Sequence, residues 1–236
     1  DPNHPVLATH RAQGKRVVYV EDGAIVAQKG KQVFRIPLSQ VPLTRQGQIG
    51  FQTENVLAAV GAAWAVGVHW DAIAQGLATF ISDIQGVPGR FNLFDYRGAT
   101  LIADYGHNPD AIAALVQAVD NMPANKRVVV ISGAGDRRDQ DIRDQTQILG
   151  KAFDEVLLYQ DACQRGREDG EVIGLLREGL QGALRTTHVQ DIQGEFNAID
   201  TALSRLSPGD LCLILIDQVE EALSYITEKV NASKRG

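Results

Sequence analysis

The sequence is poor in cysteine, only modestly acidic, and without a long apolar run. Its two cysteines, Cys163 and Cys212, form no Cys-x-x-Cys pair, so neither a disulfide framework nor a zinc site is indicated. The formal net charge of -6 argues against a general nucleic-acid or membrane-surface partner. No apolar stretch approaches the roughly 20 residues that span a bilayer. These features predict a cytoplasmic protein that binds neither nucleic acid nor membrane.

Several catalytic signatures are also missing. The histidines show no His-x-x-His or Glu-x-x-His spacing, so no metal site is predicted, and there is no Gly-x-Ser-x-Gly elbow. No lysine stands in a Gly-Lys-Ser/Thr phosphate-binding loop. The chain opens on Asp1-Pro2-Asn3 without an initiating methionine, which indicates that it begins inside a longer protein.

The pattern of the sequence changes near residue 86. Before that point, residues 16–36 predict short strands, and residues 54–66 and 69–80 predict two helices. A Pro- and Gly-containing stretch then follows, which is typical of a domain boundary. We therefore predict one domain over residues 1–86 and a second over residues 87–236.

Strands and helices alternate through the second domain. The predicted strands are short and apolar, and they cover residues 90–96, 99–104, 127–132, 155–159, 185–189 and 211–216. The predicted helices cover residues 109–121, 139–153, 168–180, 194–206 and 218–230. This alternation predicts an α/β fold with a Rossmann-like, mostly parallel sheet that is covered on both faces. Ligands in such sheets bind beyond the carboxyl ends of the strands, so we expect function in the loops after residues 104, 132 and 159.

The loop after the 99–104 strand contains Asp104, His107 and Asn108. Asp104 lies at a strand end beside a helix N-terminus, where a carboxylate can accept hydrogen bonds from ribose hydroxyls. The helix N-terminus at Pro109 favours anionic groups. The alternative is that Asn108 only caps the helix and that Asp104 is only a strand-end acceptor.

The two later loops combine glycines with charges of both signs. Gly133 and Gly135 would let the backbone approach a ligand, and the arginines that follow could hold phosphate or carboxylate. Mixed charges in the third loop would suit a zwitterionic amino acid. The candidate residues of the two loops are Asp136, Arg137, Arg138, Asp139, Asp161, Arg165, Arg167 and Glu168. For both loops, the alternative is a charged surface turn before a helix.

Two further polar residues could contact a nucleotide. Arg90, in Pro88-Gly89-Arg90-Phe91, could reach phosphates from the start of the second domain. Asn55 lies in the first predicted turn of the 54–66 helix, where its amide could contact the edge of a base. Ordinary surface polarity is the alternative for each residue.

The order of these motifs resembles the Mur ligase superfamily. The motifs are Gly50-Phe51-Gln52-x-x-Asn55, Pro88-Gly89-Arg90-Phe91, Asp104-Tyr105-Gly106-His107-Asn108-Pro109 and Gly135-Asp136-Arg137-Arg138-Asp139. Within the superfamily, Glu54 and the Arg165-Gly166-Arg167 run resemble the Mur-ligase-like half of the cyanophycin synthetase family. The resemblance covers essentially the whole chain. It implies the end of a Mur ligase central domain over residues 1–86 and a Mur ligase C-terminal domain over residues 87–236.

The resemblance also implies an activity, cofactors and residue roles. Mur ligases use ATP and Mg²⁺ to activate a carboxylate as an acyl phosphate, which an amine then attacks. Asn55 would contact adenine, Arg90 the phosphates and Asp104 the ribose, with His107 and Asn108 beside the nucleotide. The loops at 133–139 and 161–168 would lie near the incoming amino acid.

For the cyanophycin synthetase family, the resemblance implies addition of arginine to the β-carboxyl of aspartate in a polymer. Arginine, ATP and a cyanophycin primer, an Asp-Arg polymer, are then the expected partners, and the full-length form is expected to be a homo-oligomer. The guanidinium group of arginine would need a carboxylate partner. The candidates Asp136, Asp139, Asp161 and Glu168 cannot be ranked from the sequence.

The sequence lacks the phosphate-binding lysine loop of a complete Mur ligase. It also has no ATP-grasp region, which the resemblance assigns to the other half of cyanophycin synthetases. We therefore expect a C-terminal fragment of the ligase that is inactive in isolation. Two alternatives remain open. One is another Mur-type ligase, acting on folylpolyglutamate or a peptidoglycan precursor, and the other is a non-catalytic nucleotide-binding or assembly module.

Overall fold

Tight turns fold the beginning of the chain into a three-stranded antiparallel sheet. In the computed structural model, which describes residues 2–160 and 163–235, helix α1 (Pro5–Ala12) precedes strands β1 (Arg16–Glu21), β2 (Ala24–Lys29) and β3 (Gln32–Pro37). Asp22 and Gly23 both have positive φ, the backbone geometry that a two-residue hairpin turn requires. The strands agree with the sequence prediction, whereas α1 was not predicted.

Two helices complete this N-terminal unit, which spans Asp1–Ile81. Helices α2 (Gly50–Ala65) and α3 (Trp70–Thr79) pack against the sheet through a core that includes Ile25, Val56 and Val60. The predicted start of α2 at residue 54 is wrong. The Thr53 N–H donates to the Ile49 carbonyl oxygen (3.1 Å), so the helix already includes Gly50 and Asn55 lies in its second turn.

A six-stranded sheet forms the C-terminal unit, Ser82–Gly236. Its strands are β4 (Asn92–Tyr96), β5 (Ala99–Asp104), β6 (Arg127–Ile131), β7 (Glu155–Gln160), β8 (His188–Gln193) and β9 (Leu211–Leu215). They lie in the order β4-β5-β9-β6-β7-β8, and β4 alone is antiparallel to its neighbour. This confirms the α/β fold and the mostly parallel sheet predicted from the sequence.

Helices cover the sheet. They are α4 (Pro109–Asp120), α5 (Asp139–Leu149), α6 (Glu171–Gly179), α7 (Glu195–Arg205) and α8 (Val219–Ser233). Helices α7 and α8 bury residues such as Ile199, Leu203 and Ile226 against one face of the sheet. The five strands from β5 to β9 run parallel to one another, so all five end at one edge, which we call the carboxyl edge.

Strand β8 lies at residues 188–193 rather than at the predicted residues 185–189. The segment before it is held by side chains: Arg185 donates to both carboxylate oxygens of Asp154 at 2.9 and 3.0 Å, and Thr186 donates to the Phe153 carbonyl oxygen at 2.9 Å. Partial burial opposes ionisation of Asp154, but Arg185 and the Arg127 N–H outweigh it and hold the pKa of this carboxyl below its usual value.

None of the helices within the described ranges is long and apolar enough to cross a membrane.

Candidate functional site

Four loops meet at the carboxyl edge of the sheet. Because β9 lies between β5 and β6, the loop at residues 216–218 stands between the loop that follows Asp104 and the one that begins at residue 132. The loop after β7 lies beyond them. Sequence reasoning identified the loops after β5, β6 and β7 but missed the loop after β9, since it could not derive the strand order.

A pinned turn at residues 88–91 projects Arg90 outward beside this edge. Gly89 and Phe91 both have positive φ, and the Phe91 N–H donates to Asp104 Oδ2 (2.8 Å). The Tyr105 N–H donates to the Gly89 carbonyl oxygen (2.9 Å). A Cβ atom on Gly89 would lie only 2.9 Å from a Val219 methyl carbon, so the turn requires glycine there. The exposed guanidinium of Arg90 lies 5.7 Å from the centre of the Tyr105 ring.

Asp104 is buried, with 7% of its surface exposed. Burial raises the pKa of its carboxyl above the usual value, although the N–H groups of Phe91 and Gly106 and the charge of Arg90 act in the opposite direction. In the described structure, the Asp104 carboxylate accepts hydrogen bonds from backbone N–H groups, as expected if it is only a strand-end acceptor. Contact with a ribose stays a prediction.

Asn108 caps helix α4. Its Oδ1 accepts a hydrogen bond from the Ala111 N–H at 2.8 Å, and Pro109 follows in the first turn. This contact is the one that the alternative interpretation of Asn108 expected, and a contact with the nucleotide stays a prediction.

We expect Asn108→Ala to lower the free energy of unfolding by about 1 kcal/mol, because one N–H group of the first turn loses its acceptor. Chemical denaturation monitored by circular dichroism measures this difference. Asn108→Ser is the matched control, since serine can accept the same hydrogen bond and should remain close to the original stability. Equal losses in both variants would contradict a capping role.

His107 is buried, and its ring lies beside that of Tyr105. Its Nδ1 lies 2.8 Å from the Tyr105 carbonyl oxygen, and the centres of the His107 and Tyr105 rings are 4.5 Å apart. Burial lowers the pKa of His107, although the Tyr105 carbonyl and Asp217 act against it, so the imidazole is neutral at pH 7. Nε2 lies 3.7 Å from Asp217 Oδ1 and makes no hydrogen bond with any described residue.

Asp217 is a site residue that sequence reasoning missed. Its carboxylate accepts a hydrogen bond from Arg165 Nη2 at 2.9 Å, and Asp136 lies 3.6 Å from the other terminal nitrogen of that guanidinium. The loop that carries Asp217 is fixed by buried Glu195, whose carboxylate accepts hydrogen bonds from the N–H groups of Asp217 (2.9 Å) and Gln218 (3.2 Å). The arrangement brings two carboxylates and one guanidinium together at the carboxyl edge.

Arg167 connects two loops. Its Nε donates to the Gly135 carbonyl oxygen (2.7 Å), and Nη2 donates to the Arg137 carbonyl oxygen (2.7 Å) and to Asp139 (2.8 Å). Nη1 donates to Glu171 (2.6 Å). With these acceptors, Arg167 and Asp139 hold the loop after β6 against the start of α6, and substrate contact by either residue stays a prediction.

The two glycines of the loop after β6 pack against protein rather than facing open space. A Cβ atom on Gly135 would overlap the Gln164 carbonyl oxygen of the neighbouring loop, and one on Gly133 would lie 2.6 Å from Val172. The expectation that these glycines let the backbone approach a ligand is therefore corrected. They let one loop approach another loop and a helix.

The remaining predicted residues of these loops are spread over the surface. Arg138 forms a bidentate pair with Asp141 at 2.9 and 2.7 Å, and 83% of its side chain is exposed. Arg137 and Glu168 are also exposed. Asp161 lies outside the described residues.

Asn55 lies in the N-terminal unit, on helix α2. Its Nδ2 donates to Gln52 Oε1 (3.2 Å), and the residue contributes to the wall of an otherwise apolar cavity of about 470 Å³ between α2 and α3. Within residues 2–160 and 163–235, no group of three or more His, Cys, Asp or Glu side chains is arranged to hold a metal ion.

Comparison with known proteins gives a consistent result. A family model described as "Mur ligase, glutamate ligase domain" matches residues 89–215. Cyanophycin synthetase from Geminocystis herdmanii is 33% identical over 233 residues, which cover 98% of this chain and 26% of that protein. A UDP-N-acetylmuramoyl-L-alanyl-D-glutamate–2,6-diaminopimelate ligase from Alkaliphilus metalliredigens is 28% identical over 165 residues, or 70% of this chain and 32% of that protein.

Solved structures show the same fold. The structure described as E. coli FolC in complex with ADP has a TM-score of 0.66 and 22% identity, covering 100% of this chain and 53% of that chain. The chain spans about a quarter of the length of the cyanophycin synthetases that it matches. Because the family model covers more than half of the sequence and the curated relatives above are ligases, the chain belongs to the Mur ligase family.

Proposed function

We propose that this chain is part of an ATP-dependent ligase that joins arginine to the β-carboxyl group of aspartate in an Asp-Arg polymer. The observation that carries the proposal is the set of charged groups at the carboxyl edge, where Asp136, Arg165 and Asp217 meet beside the Arg90 turn. The similarity to cyanophycin synthetases supports the choice of substrates.

The nucleotide would be held by the groups beside β5. The exposed guanidinium of Arg90 sits on a pinned turn and suits a phosphate group, and the N-terminus of α4 favours the same negative charge. Asp104 would fix the turn and contact the ribose, with His107 and Asn108 next to it, while Asn55 would contact the adenine base. The solved structure of FolC with ADP supports nucleotide use in this fold.

The proposed reaction has two steps. A carboxylate oxygen of the polymer attacks the γ-phosphorus of ATP and releases ADP, and the α-amine of arginine then attacks the acyl phosphate carbon and releases phosphate with loss of a proton. Mg²⁺ is proposed as a cofactor, but the described residues include no ligand set for it, so we assign it no position in this chain. The chain's own contribution is to bind the nucleotide and position the amine.

We expect the 236-residue chain alone not to join arginine to the polymer, because its sequence has no Gly-Lys-Ser/Thr loop for the phosphates. A chimera provides the positive test. The segment of the Geminocystis herdmanii cyanophycin synthetase that aligns with this chain is replaced by this chain, and ATP-dependent incorporation of radioactive arginine into a primer is measured.

The chimera should incorporate arginine, and Arg90→Ala within it should reduce kcat/KM for ATP at least about tenfold, as expected for loss of a charge-assisted hydrogen bond. Arg97→Ala is the matched control, because Arg97 is an exposed arginine on the β4–β5 turn, where its guanidinium lies 5.3 Å from the centre of the Tyr96 ring. A folded chimera that uses ATP but accepts another amino acid in place of arginine would contradict the proposed substrate.

A further inference from the structure

Arg165 occupies a position in which an incoming guanidinium group would be well held. Its two terminal nitrogens face carboxylates from two different loops, Asp217 at 2.9 Å and Asp136 at 3.6 Å, and its guanidinium group lies near the Tyr105 side chain. Planar guanidinium groups bind carboxylates from more than one direction in this way. The site is therefore shaped for a guanidinium group, which the protein itself supplies.

A buried nitrogen of His107 faces the same site. The Tyr105 carbonyl oxygen can only accept a hydrogen bond, so His107 Nδ1 carries the proton and Nε2 has the free lone pair. Nε2 points toward Asp217 Oδ1, 3.7 Å away, which is another acceptor. His107 is 93% buried, and Nε2 makes no hydrogen bond with a described residue, so an N–H donor placed between the two would satisfy it.

We propose that Asp136, His107 and Asp217 form a binding site for a guanidinium group, which we call the guanidinium seat. Arg165 occupies this site, and the side chain of the incoming arginine displaces it. This inference rests on the proposed function and assigns the recognition of its amino acid to these three residues. An arriving guanidinium group would donate to Asp217 and, through a second N–H, to His107 Nε2. A lysine ammonium, which is a point charge, could not span both acceptors with the same planar geometry.

Arg165 is suited to be displaced, whereas Arg167 is not. The Arg165 side chain is 32% exposed and reaches Asp136 only at 3.6 Å, and Asp136 is itself 60% exposed. Arg167 is 16% exposed and donates to four acceptors, two of which are backbone carbonyl oxygens. When the substrate displaces Arg165, the guanidinium group of the substrate replaces that of Arg165 at the two carboxylates. Displacement of Arg167 would instead break the hydrogen bonds that join the loop after β6 to the start of α6.

The test measures binding of L-arginine and L-citrulline to the 236-residue chain by NMR titration, without ATP. Citrulline has the same shape but an uncharged ureido group. Arg165→Gln should lower the Kd for arginine about tenfold or more, because the ligand no longer competes with an internal guanidinium group. Asp217→Asn should raise the Kd for arginine at least about tenfold. Arginine, but not citrulline, should shift the His107 Nε2 resonance.

Arg177→Gln and Asp191→Asn are the matched controls, because they break an exposed Arg–Asp pair of 2.7 Å elsewhere in the C-terminal unit. Neither should change the Kd. The inference is overturned if Asp217→Asn leaves arginine binding unchanged, if Arg165→Gln weakens it, or if citrulline binds as well as arginine. If Asp217→Asn does not fold, Asp136→Asn takes its place and should raise the Kd for arginine, while Arg165→Gln should still lower it. An unchanged Kd in Asp136→Asn would then overturn the inference.

The binding and ligation experiments can fail independently. A chimera that cannot add arginine, alongside a chain that binds arginine through Asp217, would refute the proposed function and leave the guanidinium seat intact. A chimera that carries Asp217→Asn and adds arginine with an unchanged KM would overturn the seat alone.

Discussion

Gly179→Ala is expected to lower the free energy of unfolding of the C-terminal unit by about 3 kcal/mol or more, at the upper end of overpacking effects. Gly179 lies in the last turn of α6, where a Cβ atom would overlap both the Arg143 carbonyl oxygen and Thr146 Oγ1 of α5. Neither atom can move easily, because Thr146 is fully buried and donates to the Leu176 carbonyl oxygen at 2.7 Å. The two helices would have to separate. Urea denaturation monitored by circular dichroism measures the loss.

Gly174→Ala is the matched control for this prediction, since it makes the same change on the same helix. Apart from the two adjacent residues and the backbone of its own helix, no described atom lies within 4 Å of the position that its Cβ would take. We expect it to raise the free energy of unfolding by up to about 1 kcal/mol, because alanine is the better helix former. Similar effects of the two substitutions would show that α5 and α6 are not in close contact at Gly179.

Gly135→Ala is expected to lower the free energy of unfolding by about 3 kcal/mol and to abolish binding of arginine. The added methyl group would overlap the Gln164 carbonyl oxygen, so the loops after β6 and β7 would move apart. That movement would break the hydrogen bond from Arg167 to the Gly135 carbonyl oxygen and separate Asp136 from Arg165. Denaturation and the arginine titration together measure both losses.

Arg138→Ala is the control for the same loop. Arg138 pairs only with Asp141 in the described structure and is largely exposed, so its removal should change stability by less than about 0.5 kcal/mol. A stable Gly135→Ala variant that still binds arginine would show that the crossing of the two loops is not needed for the site.

The sequence was sufficient to predict elements whose signals are local. Strand β5 was predicted with the bounds that it has, because an apolar run stands between Gly98 and the polar loop after Asp104. Helix α4 was predicted from Pro109 for a similar reason, since an asparagine cap precedes a proline in the first turn. The start of α2 was not predicted, because Gly50 and Phe51 resemble loop residues in the sequence. The hydrogen bond from the Thr53 N–H to the Ile49 carbonyl oxygen, which places both residues in the helix, is visible only in the structure.

The candidate site depends on contacts that are distant in the sequence. Asp217 follows an apolar strand and precedes a helix, so locally it resembles any helix-start acid. Its importance comes from the insertion of β9 between β5 and β6, which brings it to His107 and to Arg165. The polar residue at the end of each predicted parallel strand, including the last one, would have been the signal to follow.

The position of β9 has a consequence for how the protein is made. Leu211–Leu215 is the last strand of the described chain, yet both of its edges are paired, one with β5 and the other with β6. On a ribosome, β5 and β6 therefore leave the exit tunnel long before the strand that joins them. The sheet cannot grow in the order of synthesis, and two apolar strand edges stay open to chaperones or to mispairing until translation has passed residue 215.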